Sequence, residues 1–214
     1  RIMVEVGVAP TEVVMKKKAY HHGDLRNAII IQATARARSE GERAIVLREI
    51  AAEIGVSATA AYRHFTNRQQ LVEEVAARGF TAMGERVAQE SVAGPGVDPA
   101  LAAYADLRNA CYGLVGFTVA EPAWARMMVE VLGGSATVIH SAREVQAVMQ
   151  AIVDRGVEAG LFESGTVLYR NRVFWAGIDG LCTHAMFGIY PVSEAMEEPA
   201  IARVIDLSIS DLLT

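Results

Sequence analysis

Cysteine is scarce in this chain, and long apolar runs are missing from it. Cys111 and Cys182 are the two cysteines in 214 residues. They form neither a CxxC pair nor a metal-ligand spacing, which argues against a zinc module and leaves a single disulfide as the alternative to free thiols. Both lie in apolar segments and are expected to be buried free thiols. A thiol-based redox regulator would need one of them exposed and acidic, so that reading is weak. No apolar run approaches the roughly 20 residues of a membrane span, so no membrane association is expected. No apolar leader with a cleavage site is present, which makes the cytoplasm the expected compartment. Ser-His-Asp order, paired-carboxylate motifs, a Gly-rich phosphate loop and an HExxH helix are all missing. The chain is therefore expected not to be an enzyme, and to need no cofactor and no metal. Isolated His140 and His184 read as structural residues. There is no alternating strand pattern with hairpin turns, no internal repeat and no low-complexity tract.

What remains is apolar and helical. Hydrophobic residues make up 52% of the chain and charged ones 21%, a core-rich globular composition with room for one large or two small domains. Net charge is −5, but it is unevenly divided. Residues 15–75 carry ten Lys/Arg against seven Asp/Glu, whereas residues 76–214 carry nine against sixteen. A basic head on an acidic body directs the head toward phosphate. Met15 opens a natural-looking start, MKKKAYHHGDL, and residues 1–14 read as an extension outside the fold.

The segment from Ile45 to Leu71, IVLREIAAEIGVSATAAYRHFTNRQQL, carries the sharpest signal. Leu47, Ile50, Ala51 and Ile54 fall at i, i+3, i+4, i+7 on one helical face. Gly55 suits a tight turn that needs positive φ. Ser57 is a good N-cap for a helix from Ala58 to Phe65. Thr66 or Asn67 can cap the next, with Gln69 or Gln70 placed for a capping box. Two short helices joined by Ile54-Gly55-Val56-Ser57 make a helix-turn-helix, whose second helix enters a DNA major groove. Before it, a helix is expected over Asp24–Glu40, with Leu25, Ala28, Ile29 and Ala33 inward. Arg36 is unexpected there and either snorkels or loosens the packing. Phe65 and Leu71 read as core. Beyond Asn67–Ser91, the break Ala93-Gly94-Pro95-Gly96-Val97-Asp98-Pro99 separates the head from further helices over Pro99–Ala120, Ala123–Leu132, Ala136–Ala159, Thr166–Ile189 and Ser193–Leu213.

The string LREIAAEIGVSATAAYRHFTNRQQLVEEVA resembles the DNA-binding domain of the TetR/AcrR family of bacterial regulators, and AYHHGDLRNAII resembles the start of the first helix in one subgroup. EPAWARMM (Glu121–Met128) and FWAGIDGL (Phe174–Leu181) resemble parts of that subgroup's ligand domain. The subgroup often carries Trp-x-x-x-His-Gly at the second segment, and here Asp179 stands in the His position. The resemblance implies an all-α homodimer. A basic arm (residues 1–21) would precede a helix-turn-helix domain (22–82) and a ligand-binding and dimerisation bundle (83–214).

The recognition helix is expected over Ala58–His64, with Ser57, Thr59 and Ala60 facing base edges of double-stranded DNA. The resemblance places phosphate contacts at Tyr62, Arg63 and His64, and at Arg68 on the N-terminus of the next helix. Arg48 can reach the backbone, and Lys16, Lys17 and Lys18 with His21 and His22 either form a DNA-binding arm or a solvated terminus. A two-fold dimer implies a palindromic operator. In the C-terminal half, Tyr104, Arg108, Cys111, Tyr112, Met127 and Met128 are candidate pocket residues. Phe174, Trp175, Ile178, Asp179 and Cys182 join them, lining a site for a small hydrophobic or cationic effector. Asp179, among apolar neighbours, needs a partner if buried: Arg108, Arg126, Tyr112, a cationic ligand or a dimer mate. Gly177, Leu181, Ala185, Ile201, Val204, Ile205 and Leu212, with Gly180 and Leu207, are expected at a four-helix dimer interface. The functional expectation is a repressor released by its effector, with a ligand-independent or architectural DNA binder, or an activator, as the alternatives.

Overall fold

In a computed structural model, the described residues are 25–90, 96–167, 171–189 and 199–213, and they form an all-helical fold. The element order is α1 (Leu25–Glu40), a 3-10 turn (Glu42–Ala44), α2 (Leu47–Glu53), α3 (Ala58–Tyr62), α4 (Arg68–Glu90), α5 (Pro99–Ala120) and α6 (Pro122–Val131). A second 3-10 turn (Leu132–Gly134) follows, then α7 (Ala136–Glu158), α8 (Arg172–Phe187) and α9 (Pro199–Ser210). Among the described residues the only extended pairing is an isolated antiparallel bridge between Phe162 and Leu213.

The N-terminal unit closes around Ile29, Ile30, Ile50, Ala61, Phe65 and Leu71, all fully buried. Phe65 and Leu71 are core, as their spacing predicts. Gly55 takes φ +79°, and Val56 N–H donates to the Ala51 carbonyl at 2.9 Å, closing the turn after α2. Ser57 caps α3, its hydroxyl accepting from Ala60 N–H at 3.2 Å. At α4 the cap is Asn67, accepting from Gln70 N–H, while Gln70 Oε1 accepts from Thr66 N–H; both bonds are 2.8 Å. Arg36 does not loosen α1. Its guanidinium bridges Glu49 (2.8 Å) and Glu53 (2.5 Å) on α2 and donates to the Ala44 carbonyl at 2.8 Å. A residue that looks misplaced on a helix face is thus the bracket that sets α2 against α1.

Helix α4 runs unbroken from the N-terminal core into the C-terminal bundle, where it packs on α5, α6 and α7. A boundary at residue 82 therefore falls within one continuous helix. The joint is tight. Trp124 Nε1–H on α6 donates to the Val75 carbonyl at 3.1 Å, and Arg38 on α1 pairs with Glu121 at the α5–α6 corner. Asp98 caps α5, accepting from Ala100 and Leu101 N–H, with Pro99 at the first helical position.

Two helices are shorter than their apolar patterns suggest. The segment expected to begin at Thr166 instead turns there, with Thr166 N–H and hydroxyl both bonded to the Glu163 carbonyl. Helix α8 starts after Asn171, whose side chain accepts from Phe174 N–H at 2.8 Å. The last helix spans Pro199–Ser210 and not through Leu213, because residues 211–213 turn to pair with Phe162. Its expected start at Ser193 lies outside the described residues.

Candidate DNA reader and effector cavity

Helix α3 stands at the outer end of the N-terminal unit. It ends at Tyr62, with Arg63 and His64 in the turn that follows rather than in the helix. Thr59, Tyr62, Arg63 and His64 are exposed, as is Arg48 on α2. Ala61 is fully buried against the core, and Ala58 and Ala60 are half-buried. Ser57 is exposed, but its hydroxyl already accepts the cap bond. These exposed side chains offer hydroxyl, phenol, imidazole and guanidinium groups, a chemistry suited to phosphate and base-edge contact. The candidate arm residues Lys16, Lys17, Lys18, His21 and His22 lie outside the described residues.

Arg68 requires a correction. Its Nε–H donates to the Ile45 carbonyl at 2.8 Å, Nη1 binds Glu42 Oε1 at 2.7 Å, and Nη2 donates to the Glu42 carbonyl at 2.6 Å. The fork is committed to the loop before α2 and is not held out for phosphate. Its geometry makes it an anchor of the reader: α4 grips the entry to α2 through it. Arg68→Ala is expected to lower stability by about 1–2 kcal/mol. Thermal unfolding reports that loss. DNA titrations at several salt concentrations separate the roles, since losing a phosphate contact reduces the salt slope by about one ion, whereas losing an anchor leaves the slope unchanged.

A cavity of about 380 Å³ lies within the C-terminal bundle, walled by α4 to α8. Its inner wall is buried and apolar: Phe80 and Met83 from α4, Leu114 from α5, Met128 from α6, Val145 from α7 and Met186 from α8. Exposed Val129, Gln146, Asp179 and Thr183 line its opening. Of the expected pocket residues, Met128, Trp175, Asp179 and Cys182 line this cavity. The rest are placed elsewhere. Tyr104 hydroxyl and Arg108 Nε bind Asp206 on α9 at 3.1 and 2.7 Å. The Arg108 guanidinium lies 5.1 Å from the centre of the Tyr112 ring. These three close the α5–α9 contact. Cys111, Phe174 and Ile178 are fully buried core. Met127 faces a separate polar groove of about 530 Å³ between α6 and the end of α1.

Residues that the sequence reading missed supply most of the cavity. Phe80 and Met83 sit three apart on α4, and Val145 and Gln146 lie on α7. Their spacing marks buried helix faces, but a void between faces has no signature in one helix. Burial pushes the Cys182 thiol up to about 12, partly offset by a hydrogen bond with Thr118. Burial likewise pushes the Cys111 thiol up, so both thiols stay protonated and unreactive at neutral pH.

Asp179 has neither a hydrogen bond nor an ion pair among the described residues. Apolar surroundings alone push its carboxyl above the usual range. Arg108 and Tyr112 are engaged elsewhere, and Arg126 lies 5.3 Å from the Phe187 ring centre. An acid raised in the folded state adds stability below its unfolded pKa, and that contribution is lost as pH rises through the folded value. Asp179→Asn is therefore expected to raise Tm at pH 7.5 by about 1–2 °C, a small gain because the group reaches solvent. Repeating the melts at pH 4 checks the sign, since the advantage should shrink there.

One outward stripe of α8 is largely apolar, with exposed His184 also on it. Val173, Ala176, Gly180 and Phe187 recur at helical spacing, and all but half-buried Gly180 are exposed; exposed Leu207 lies on α9. Of the residues expected at a dimer interface, Gly180 and Leu207 lie on this surface and the others sit inward. Leu181, Ile201, Ile205 and Leu212 are buried within the protomer. Gly177 meets α9, where a Cβ would lie 2.1 Å from Ser208 Oγ. Ala185 and Val204 are partly buried against the same core. An apolar helix has two candidate stripes and the inner one is the richer, so spacing alone does not tell the outward stripe from the core.

An outward helix-turn-helix mounted on a helical bundle with an apolar cavity defines a DNA-binding transcriptional regulator fold. Residues 30–75 match the family model described as bacterial regulatory proteins, tetR family. The DNA-binding domain of this chain is that of the TetR family, and its whole fold is the one TetR-family regulators share. A protein of unknown function from Rhodococcus sp. RHA1 is similar, with 24% identity and a TM-score of 0.72 over 92% of this chain and 100% of that one. A putative TetR-family regulator from Mesorhizobium loti MAFF303099 has 17% identity and a TM-score of 0.65, over 88% of this chain and 96% of that one. SmeT, the repressor of the Stenotrophomonas maltophilia multidrug efflux pump SmeDEF, has 17% identity and a TM-score of 0.57, over 88% and 90%. No curated protein sequence matches the chain. Among the described residues no helix is long and apolar enough to cross a membrane.

Proposed function

We propose that the chain is a cytoplasmic, homodimeric repressor that reads a palindromic operator and releases it when a small molecule fills the α4–α8 cavity. Thr59, Tyr62, Arg63, His64 and Arg48 contact DNA, with Ala60 approaching a base edge or thymine methyl and Ser57 fixing the start of α3. Arg68 supports them from behind. The exposed stripe of α8 and α9 meets its symmetry mate.

One observation carries the reading. Met128 lines the cavity and also packs on Gly79 of α4, where a Cβ would lie 2.3 Å from Met128 Sδ. Helix α4 continues into the reader's core. A ligand that displaces Met128 therefore bears on the helix that carries the DNA-binding head, and in a dimer this alters the spacing of two heads. Linkage then requires that ligand and operator each weaken the other's binding by the same factor. A small molecule with equal affinity for both arrangements would release nothing.

The test is fluorescence anisotropy of a palindromic DNA selected from random sequence by the protein, with and without each compound that raises Tm. Coupled loss of DNA binding supports release. DNA binding that no stabilising compound alters favours the ligand-independent regulator, and tighter binding with compound favours co-repression.

A further inference from the structure

The cavity is graded from end to end. Its depth is formed by buried Phe80, Met83, Leu114 and Met128, and its opening by exposed Gln146, Asp179 and Thr183. Among the described residues that line it there is one charged group, the Asp179 carboxylate, and there is no Lys, Arg or His. Trp175 and Asp179 both line it and stand four residues apart on α8, so the indole and the carboxylate occupy one helical face. Two candidate partners for Asp179 are engaged elsewhere among the described residues: Arg108 is bound to Asp206, and Arg126 lies over the Phe187 ring.

We propose that this cavity binds an amphiphilic organic monocation, with its apolar body inward and its ammonium at the mouth between the Asp179 carboxylate and the Trp175 ring. The inference rests on the effector reading for its consequence at DNA, but not for binding itself. A carboxylate and an aromatic face are the two groups that attract an ammonium, by charge and by the ring quadrupole. The same carboxylate excludes fatty-acid-like anions, because their head group would meet a like charge with no compensating cation. A neutral amphiphile would fill the apolar depth and leave the mouth carboxylate unanswered.

The test is calorimetric titration of the full chain with octylammonium, octan-1-ol and octanoate. Octylammonium is expected to bind one site per chain about tenfold or more tightly than octan-1-ol, with octanoate weakest. Asp179→Asn should remove that preference while keeping the affinity for octan-1-ol. Thr183→Trp, which fills the opening, should abolish both. Absence of octylammonium binding, equal affinity for the alcohol, a preference that survives D179N, or binding that survives T183W would each overturn the proposal. Anisotropy of bound DNA separates the two readings. Octylammonium that binds through Asp179 but leaves DNA affinity unchanged keeps the cation site and removes effector release. Release by octan-1-ol or octanoate alone keeps release and removes the cation site.

Discussion

Gly156→Ala is expected to lower Tm by about 4–10 °C, from a loss of about 2–3 kcal/mol. Gly156 lies near the end of α7, and an added Cβ would stand 2.2 Å and 2.4 Å from two carbons of the Phe162 ring. That ring cannot step aside. Phe162 is buried, its N–H bonds back to the Gly156 carbonyl at 3.3 Å, and it pairs with Leu213 at the end of the chain's last turn. Alanine would gain about 0.5–1 kcal/mol of helix propensity over glycine, which is too little to offset a clash with a rigid ring. Thermal melts of the variant check the result, and an unchanged Tm would mean that α7 and its following turn can separate freely.

Gly79→Ala provides the contrast. A Cβ there meets Met128 Sδ at 2.3 Å and Cγ at 2.8 Å, atoms of a flexible side chain bordering a void, and Trp124 Cε2 at 3.1 Å, a contact that a shift of a few tenths of an ångström relieves. The thioether can swing into the cavity, so Tm should change by under about 2 °C, propensity gain and repacking roughly cancelling. The cavity shrinks instead. Affinity for any ligand that occupies it should fall by about tenfold, with DNA affinity retained; calorimetry and anisotropy on the same preparation read both. Two glycine-to-alanine changes of similar apparent clash thus separate into a folding defect and a sensing defect, according to what the neighbour can do.

These contrasts mark where the sequence was legible. Local chemistry was readable wherever it was closed within a few residues. Asp98-Pro99 opening α5, Ser57 capping α3, Gly55 turning after α2 and the apolar face of α2 all follow from spacing alone. Long-range pairing was not. Arg68 looks like a phosphate ligand in sequence because the residues it binds, Glu42 and Ile45, lie more than twenty positions away. Tyr104 and Arg108 look like pocket residues until Asp206, on another helix, claims them. Buried Asp106, which pairs with Arg155 at 2.9 Å and keeps a second oxygen unbonded, gave no signal at all. The cavity was legible only at Met128, Trp175, Asp179 and Cys182, because an unusual carboxylate beside aromatics shows in one helix, whereas the void it faces arises from five.

Gly180→Arg is expected to convert the proposed dimer into a monomer and to weaken operator binding by about 100-fold or more. Gly180 has no atom within 4 Å of where a Cβ would lie, so arginine fits the isolated protomer without strain and the fold should survive. Its position is the smallest on the stripe formed by Val173, Ala176 and Phe187, where two α8 helices would approach most closely. A guanidinium there would be buried without a partner in the dimer, a penalty that outweighs a modest apolar interface. The operator effect follows from geometry. Two linked heads bind a palindrome with an effective concentration that raises avidity by about 10²–10⁴ over one head, and a monomer forfeits that factor while keeping its half-site contacts. Light scattering after gel filtration should therefore give the 23.0 kDa mass of one chain, with Tm little altered. Leu181→Arg makes the control. Leu181 is buried inside the protomer, so its variant should unfold and not dissociate. A Gly180→Arg protein that stays dimeric would move the interface off this stripe, and with it the route by which Met128 and α4 set the spacing of the two readers.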